Sequence, residues 1–277
     1  MKMKTIWFIV ILVVFITMII NVTSNNEKAE FIPLELNIGD EFTGLEFKNA
    51  MYVINYLIND VTGDNEKDMI ILVGEKETID STYSKNVDLV VYDTVSKTFF
   101  NAGLKKFQGD MPKIILSDLT GDGINEIIIT LENNTKEKDV RIISNNNGTL
   151  KEILGVKENK GINFYGEMID GIKAHVRCNK LNKELYIDLT DKKSELITNK
   201  KIDESGKIIS ENKKVSTSGF KTIELVEING QKGIQTTQII TAFDNTEIVD
   251  EITAIWKYEE GKWQIKEVRG IKVGNLI

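Results

Sequence analysis

The chain has 277 residues, 41% of them hydrophobic, and a formal net charge of −7. Apolar residues in that proportion exclude a disordered chain, and the acidic balance excludes a protein that binds nucleic acid by neutralising phosphates. The single cysteine, Cys178, excludes an internal disulfide.

Met1–Lys4 is basic, Ile6–Ile20 is apolar apart from Thr17, and Asn21–Asn26 is polar. That order is the plan of a secretory signal or a signal anchor. A buried core helix would carry a polar stripe, and this segment has none. Thr5–Val22 just reaches the length of about 17–25 apolar residues that a spanning helix needs. We therefore expect one N-terminal hydrophobic helix over residues 1–24, acting as signal peptide or membrane anchor. Residues 25–46 read as a linker and 47–277 as the folded body. The expected location is extracytoplasmic, either membrane-anchored or secreted.

Beyond the linker, short runs rich in Val, Ile, Tyr, Phe and Thr alternate with Gly, Asn and Asp. They are Met51–Ile58, Asp68–Val73, Val87–Tyr92, Lys113–Leu116, Glu126–Leu131 and Val140–Ile143 in the first half. Ala174–Cys178, Glu184–Leu189, Thr222–Ile228, Ile234–Ala242 and Thr253–Tyr258 follow in the second. Runs of this length between turn residues are strands. Asn229-Gly230 marks a tight hairpin, and Glu259-Glu260-Gly261 marks another before Trp263–Val268. Few stretches keep a helical period for a dozen residues. The expected class is all-β.

One segment occurs twice. Asp60-Val61-Thr62-Gly63-Asp64-Asn65-Glu66-Lys67-Asp68 and Asp118-Leu119-Thr120-Gly121-Asp122-Gly123-Ile124-Asn125-Glu126 share one nine-residue pattern, 58 residues apart. Each lies between two apolar runs. Calcium takes six to eight oxygen ligands, and a tight loop turns alternate residues inward. Positions 1, 3 and 5 offer Asp60, Thr62 and Asp64, or Asp118, Thr120 and Asp122. Position 7 offers the carbonyl of Glu66 or Ile124, and position 9 offers Asp68 or Glu126. Position 6 calls for positive φ, which Gly123 takes freely and Asn65 tolerates. The twelfth position, where a helix–loop–helix site carries Glu, is Ile71 or Ile129, so these loops join strands. A shortened third copy begins at Asp188-Leu189-Thr190-Asp191 and runs to Glu195 without the glycine.

The two Asp-x-Thr-Gly-Asp-Gly/Asn-x-x-Asp/Glu loops resemble those of FG-GAP/VCBS repeats, found in integrin α-subunits and in bacterial surface proteins. The resemblance covers about residues 55–150. It implies β-propeller-like repeats in a partial or small propeller, with calcium held between two strands of each blade. The two repeats then occupy 47–150, and a degenerate remainder with a C-terminal β-hairpin occupies 151–277. It also implies Ca2+ as the bound ion.

Catalytic patterns are scarce. His175 is the only histidine, and three-residue spacing in a strand turns it away from Cys178. There is no Gly-x-Ser-x-Gly, no HExxH and no lysine-bearing phosphate loop. A glycosidase needs only two carboxylates, and acidic residues abound. Trp256, Tyr258 and Trp263 flank the last hairpin, either as a cross-strand core group or as exposed rings that stack on a sugar or grip a protein. The sequence points to an exported, calcium-stabilised binding or adhesion protein of the bacterial surface. Its expected partners are a protein or a cell-surface glycan, and the membrane through the N-terminal helix. A structural envelope component without a mobile partner and a secreted hydrolase are the alternatives.

Overall fold

The computed structural model describes residues 36–277 apart from Ile79 and Asn147. The expected N-terminal helix and anchor lie outside the described residues. Among the described residues, no helix is long and apolar enough to cross a membrane.

Strands make up 54% of the structure and helix 5%, which places it in the all-β class. The first half contains two antiparallel meanders of four strands. One is β1 (Tyr52–Asn59), β2 (Asp68–Glu75), β3 (Tyr83–Asp93) and β4 (Thr98–Asn101). The next is β5 (Gly109–Ser117), β6 (Glu126–Glu132), β7 (Lys138–Asn146) and β8 (Thr149–Leu154). Two residue pairs, Tyr83 with Asp110 and Ser84 with Gly109, join them into one sheet. Each acidic loop connects the first two strands of its meander.

The second sheet holds β9 (Tyr165–Ile169), β10 (Lys173–Cys178), β11 (Lys183–Asp188) and β12 (Lys214–Thr217). A short helix, α1 (Lys193–Thr198), precedes β12. A third run of four consecutive antiparallel strands follows: β13 (Thr222–Ile228), β14 (Gln231–Ala242), β15 (Glu247–Glu259) and β16 (Lys262–Gly270). The short β17 (Gly274–Asn275) closes that end, and β11 closes the other. Both sheets curl, one of them into a half-barrel. The two expected hairpins are present. Asn229-Gly230 and Glu260-Gly261 each place two successive residues at positive φ, as a tight right-twisted hairpin requires.

Alternation along the strands explains how these units stack. On β6, Ile127, Ile129 and Leu131 join a core with Ile70, Leu72, Leu89 and Val91 of the first meander. Ile128 of the same strand points the other way, with Val140 and Ile142 of β7, into a core shared with Ile234, Ile252 and Trp256 of the second sheet. The central strands β6 and β7 of this meander are thus buried on both faces, and β6 is apolar between Glu126 and Glu132 apart from Thr130 for that reason. Polar bonds secure the same boundary. Trp263 Nε1 donates to the Ile153 carbonyl at 2.9 Å, and Lys138 bridges to Phe220.

Part of the segment read as linker is fixed against β1. Gly39 and Phe42 donate their N–H groups to the carbonyls of Val53 and Met51, and the buried Phe42 ring meets Phe99 edge to face.

Candidate functional site

The two acidic loops adopt one conformation, built mainly by their own carboxylates. Position 1 acts as the turn-maker. Asp60 accepts hydrogen bonds from the N–H groups of Thr62, Gly63 and Asn65, and Asp118 accepts from Gly121 and Gly123. Aspartate favours turns because its short side chain reaches its own backbone two to five residues ahead. Position 5 repeats the device over a shorter span, with Asp64 accepting from Glu66 N–H and Asp122 from Ile124 N–H. The expected positive φ at position 6 is present at Asn65 (67°) and Gly123 (87°). Position 4 also needs it, at Gly63 (82°) and Gly121 (81°). That explains a glycine common to both copies to which the sequence reading gave no role.

Position 9 lies at the start of the second strand and reaches back. Asp68 Oδ2 accepts from the N–H groups of Val61 and Thr62 at 3.0 and 3.1 Å. Glu126 Oε2 accepts from Leu119 and Thr120 at 2.7 and 3.0 Å. The residues at position 2, Val61 and Leu119, are fully buried and pin each loop to a core. Asp68 is 0% exposed and Glu126 is 1% exposed. Burial pushes the pKa of both carboxyls up, and the nearby charge of Asp64 or Asp122 adds to the rise.

The oxygens differ in one respect. Thr120 Oγ1 donates to Glu126 Oε1 at 3.2 Å. In the first loop the Thr62 hydroxyl also faces the Asp68 carboxylate and lowers its pKa against the rise from burial, but it lies beyond hydrogen-bond distance of it. Oxygens at positions 3 and 9 are of the hard type that calcium takes. Among the described residues, no three Asp, Glu, His or Cys side chains already gather as a metal cage. Asp60 and Asp118 are turned toward backbone N–H groups, so an ion would have to draw the carboxylates inward.

The loops also adjoin. A methyl group on Gly63 would lie 2.6 Å from Ile124 Cδ1, so position 4 of the first loop rests on position 7 of the second. The next neighbour in that row is the β13–β14 turn. Gln231 Nε2 lies 3.3 Å from the Leu119 carbonyl, to which it donates, and a methyl on Gly121 would meet it at 3.5 Å.

The Asp188 segment, a decayed copy that the sequence left open as a third site, departs from the loop plan. Asp188 ends β11, Thr190–Lys192 form a 3-10 turn, and α1 follows directly. Without a glycine to take positive φ, the chain coils into a helix. Asp188 accepts from Thr190 N–H, and Asp191 pairs with Lys272.

Elsewhere, Cys178 is buried while His175 faces out from the same strand, as the spacing requires. Asp139 and Glu152 have pKa values raised by burial, yet both face the buried guanidinium of Arg141, which lies over the Phe107 ring at 4.7 Å. Trp256 is buried and donates to Thr236, and Tyr258 meets Trp263 edge to face at 5.4 Å.

Residues 162–270 match the family described as the YybI C-terminal domain. The match covers β9 to β16, less than half of the chain, and contains neither acidic loop. No curated protein and no solved structure matches the chain.

Proposed function

We propose that this protein is an exported, calcium-stabilised β-repeat module that presents a binding surface at the bacterial cell exterior. In this reading the two meanders are FG-GAP/VCBS-type blades of a partial propeller, and the leader delivers or anchors the body outside the membrane. The observation that carries it is the shared conformation of the two loops, each with a position-3 threonine facing a buried position-9 carboxylate. Asp60, Thr62, Asp64, the Glu66 carbonyl and Asp68 would hold one ion. Asp118, Thr120, Asp122, the Ile124 carbonyl and Glu126 would hold the other. Calcium would neutralise carboxylates that otherwise repel one another and would brace the contact between neighbouring loops. Extracellular calcium modules bind at about 10⁻⁴–10⁻³ M, so such a body would be complete only after export.

Thermal unfolding of the purified chain in EDTA and in calcium at ten times Kd tests this. Each occupied site adds about 1.4 kcal/mol. Two sites raise Tm by about 6–12 °C for a domain of this size. The rise should vanish in the Asp64→Asn, Asp122→Asn double variant. An equal Tm with and without calcium would reduce both loops to self-capped acidic turns.

A further inference from the structure

A cleft of about 580 Å³ opens where the turn between β6 and β7 meets the second sheet. Its floor is the outward face of three neighbouring strands. Ser216 of β12 lies opposite Thr241 of β14, and Thr241 lies opposite Ile248 of β15. Ile239, two residues from Thr241, shares that face, while Ile240 and Ala242 point into the core. Glu137 stands on one side, and Gly219 and Lys221, on the link from β12 to β13, stand on another. The two sides are tied together, because Lys138 donates its N–H to the Phe220 carbonyl at 2.6 Å.

Two opposite charges stand side by side in this cleft. Glu137 is fixed in place. Its Oε1 accepts the Gly219 N–H at 2.9 Å, and its own N–H is held by Asn133 Oδ1. Gly219 leaves room for the carboxylate, since a methyl there would lie 2.8 Å from Glu137 Oε2. Lys221 Nζ lies 3.8 Å from Glu137 Oε1, too far for a hydrogen bond. Among the described residues it has no other acceptor, although its side chain is only 29% exposed. An ammonium drawn part-way out of water with its donors idle costs free energy that a bound acceptor recovers. Near Thr241, Asn245 Oδ1 accepts from Ser216 Oγ and Thr241 Oγ1 at 3.0 and 2.7 Å. That leaves the Asn245 NH2 group as a further donor without a partner among the described residues.

We propose that this cleft binds a free apolar α-amino acid. The ligand's ammonium meets the Glu137 carboxylate, its carboxylate meets Lys221, and its side chain lies on Ile239 and Ile248. The sign and spacing of the protein's groups select this occupant. An α-amino acid carries both charges on one carbon, close together as those of Glu137 and Lys221 are. A peptide puts at least one residue between its end charges. A lone anion would face Glu137 and a lone cation Lys221, each a like charge in a partly desolvated site. A wholly apolar ligand would leave Lys221 without a hydrogen bond. A sugar would find no aromatic ring in the lining to stack on. The volume falls within the range of about 300–1,000 Å³ common to small-ligand sites, and it admits the larger apolar side chains.

The test is calorimetric titration of the full-length chain, in mild detergent, with L-leucine, L-phenylalanine, glycine and leucyl-leucine. At least one of the two large amino acids should bind. Glycine, which has nothing to lay on the isoleucines, and leucyl-leucine, whose charges are separated, should bind more weakly by about ten-fold or more. Lys221→Met keeps the stem and deletes the charge. Glu137→Gln keeps an acceptor for the Gly219 N–H and deletes the charge. Each should weaken binding by about ten-fold or more. Lys85→Met, at an exposed ion pair on β3, should leave it unchanged. Thermal melts establish that each variant is folded. Neither heat nor a rise in Tm with both large amino acids overturns the proposal. So does wild-type affinity in Lys221→Met and Glu137→Gln, an equal loss in Lys85→Met, or equal affinity for leucyl-leucine. No residue of the cleft belongs to an acidic loop. Failure of the calcium response and failure of amino-acid binding are therefore read separately.

Discussion

Two positive-φ glycines, Gly63 at position 4 of the first loop and Gly123 at position 6 of the second, separate backbone strain from contact between the loops. At Gly123 a methyl group would meet nothing within 4 Å, so Gly123→Ala carries only the cost of left-handed φ in an L-residue. That cost is about 1–2 kcal/mol. At Gly63, φ is nearly the same, but the methyl would fall 2.6 Å from Ile124 Cδ1 and 2.9 Å from Cγ1. The contact is with the end of a side chain, which can rotate away. Driving Ile124 off its rotamer adds about 0.5–1.5 kcal/mol. Gly63→Ala should therefore cost about 2–3 kcal/mol, against about 1–2 for Gly123→Ala. Urea unfolding of both single variants, of Ile124→Ala and of the Gly63→Ala, Ile124→Ala pair completes a double-mutant cycle. Removing Ile124 should return Gly63→Ala to the Gly123→Ala cost, leaving a coupling energy of about 1 kcal/mol. Equal costs at the two glycines, or zero coupling, would refute the claim that the loops rest on each other.

Two further outcomes follow from the same geometry. Asp68→Asn keeps one oxygen for the Val61 and Thr62 N–H groups and places an amide beside Thr62 Oγ1. It should raise metal-free stability at neutral pH and remove about 1.4 kcal/mol of the calcium response, read from Tm at ten times Kd. Because burial raises the Asp68 pKa in the folded state, its ionisation destabilises the fold above that pKa. The advantage of Asp68→Asn should accordingly shrink as pH falls toward the ordinary value of 3.8, and melts across pH 4–7 check the sign. Trp263→Phe deletes the donor to the Ile153 carbonyl at the boundary between the sheets. It should cost about 1 kcal/mol, seen as a fall in Tm of about 2–4 °C.

Much of the fold was legible because strands and turns obey short-range rules. Glu126–Leu131 is apolar after the glutamate at every position but Thr130, and both faces of that strand are buried. Asn65 and Gly123 were readable as positive-φ positions because few residues tolerate it. The strands that escaped notice lack a pattern. Thr98–Asn101 and Lys214–Thr217 are four residues long, too short to alternate convincingly. Tyr165–Ile169 contains Gly166, which reads as a strand breaker. The strand requires it, since a Cβ there would lie 1.9 Å from the His175 carbonyl oxygen. The Asp188 segment was misleading in the opposite sense: an Asp-x-Thr start is cheap in sequence, and the missing glycine decides the conformation. The position-1 aspartates were recognisable as loop residues, but their engagement with backbone N–H groups depends on three-dimensional closure.

The middle of the second meander, β6 and β7, has no solvent side. Its outward-facing isoleucines in one direction complete the first meander, and those in the other complete the C-terminal sheet. A segment cut at residue 162 would lose Ile128, Val140, Ile142 and Leu154 from its own interior while keeping every strand from β9 onward. The matched region therefore stops short of the layer on which its own core rests. Whatever its strands present to the outside is held in shape by a layer that it does not encode.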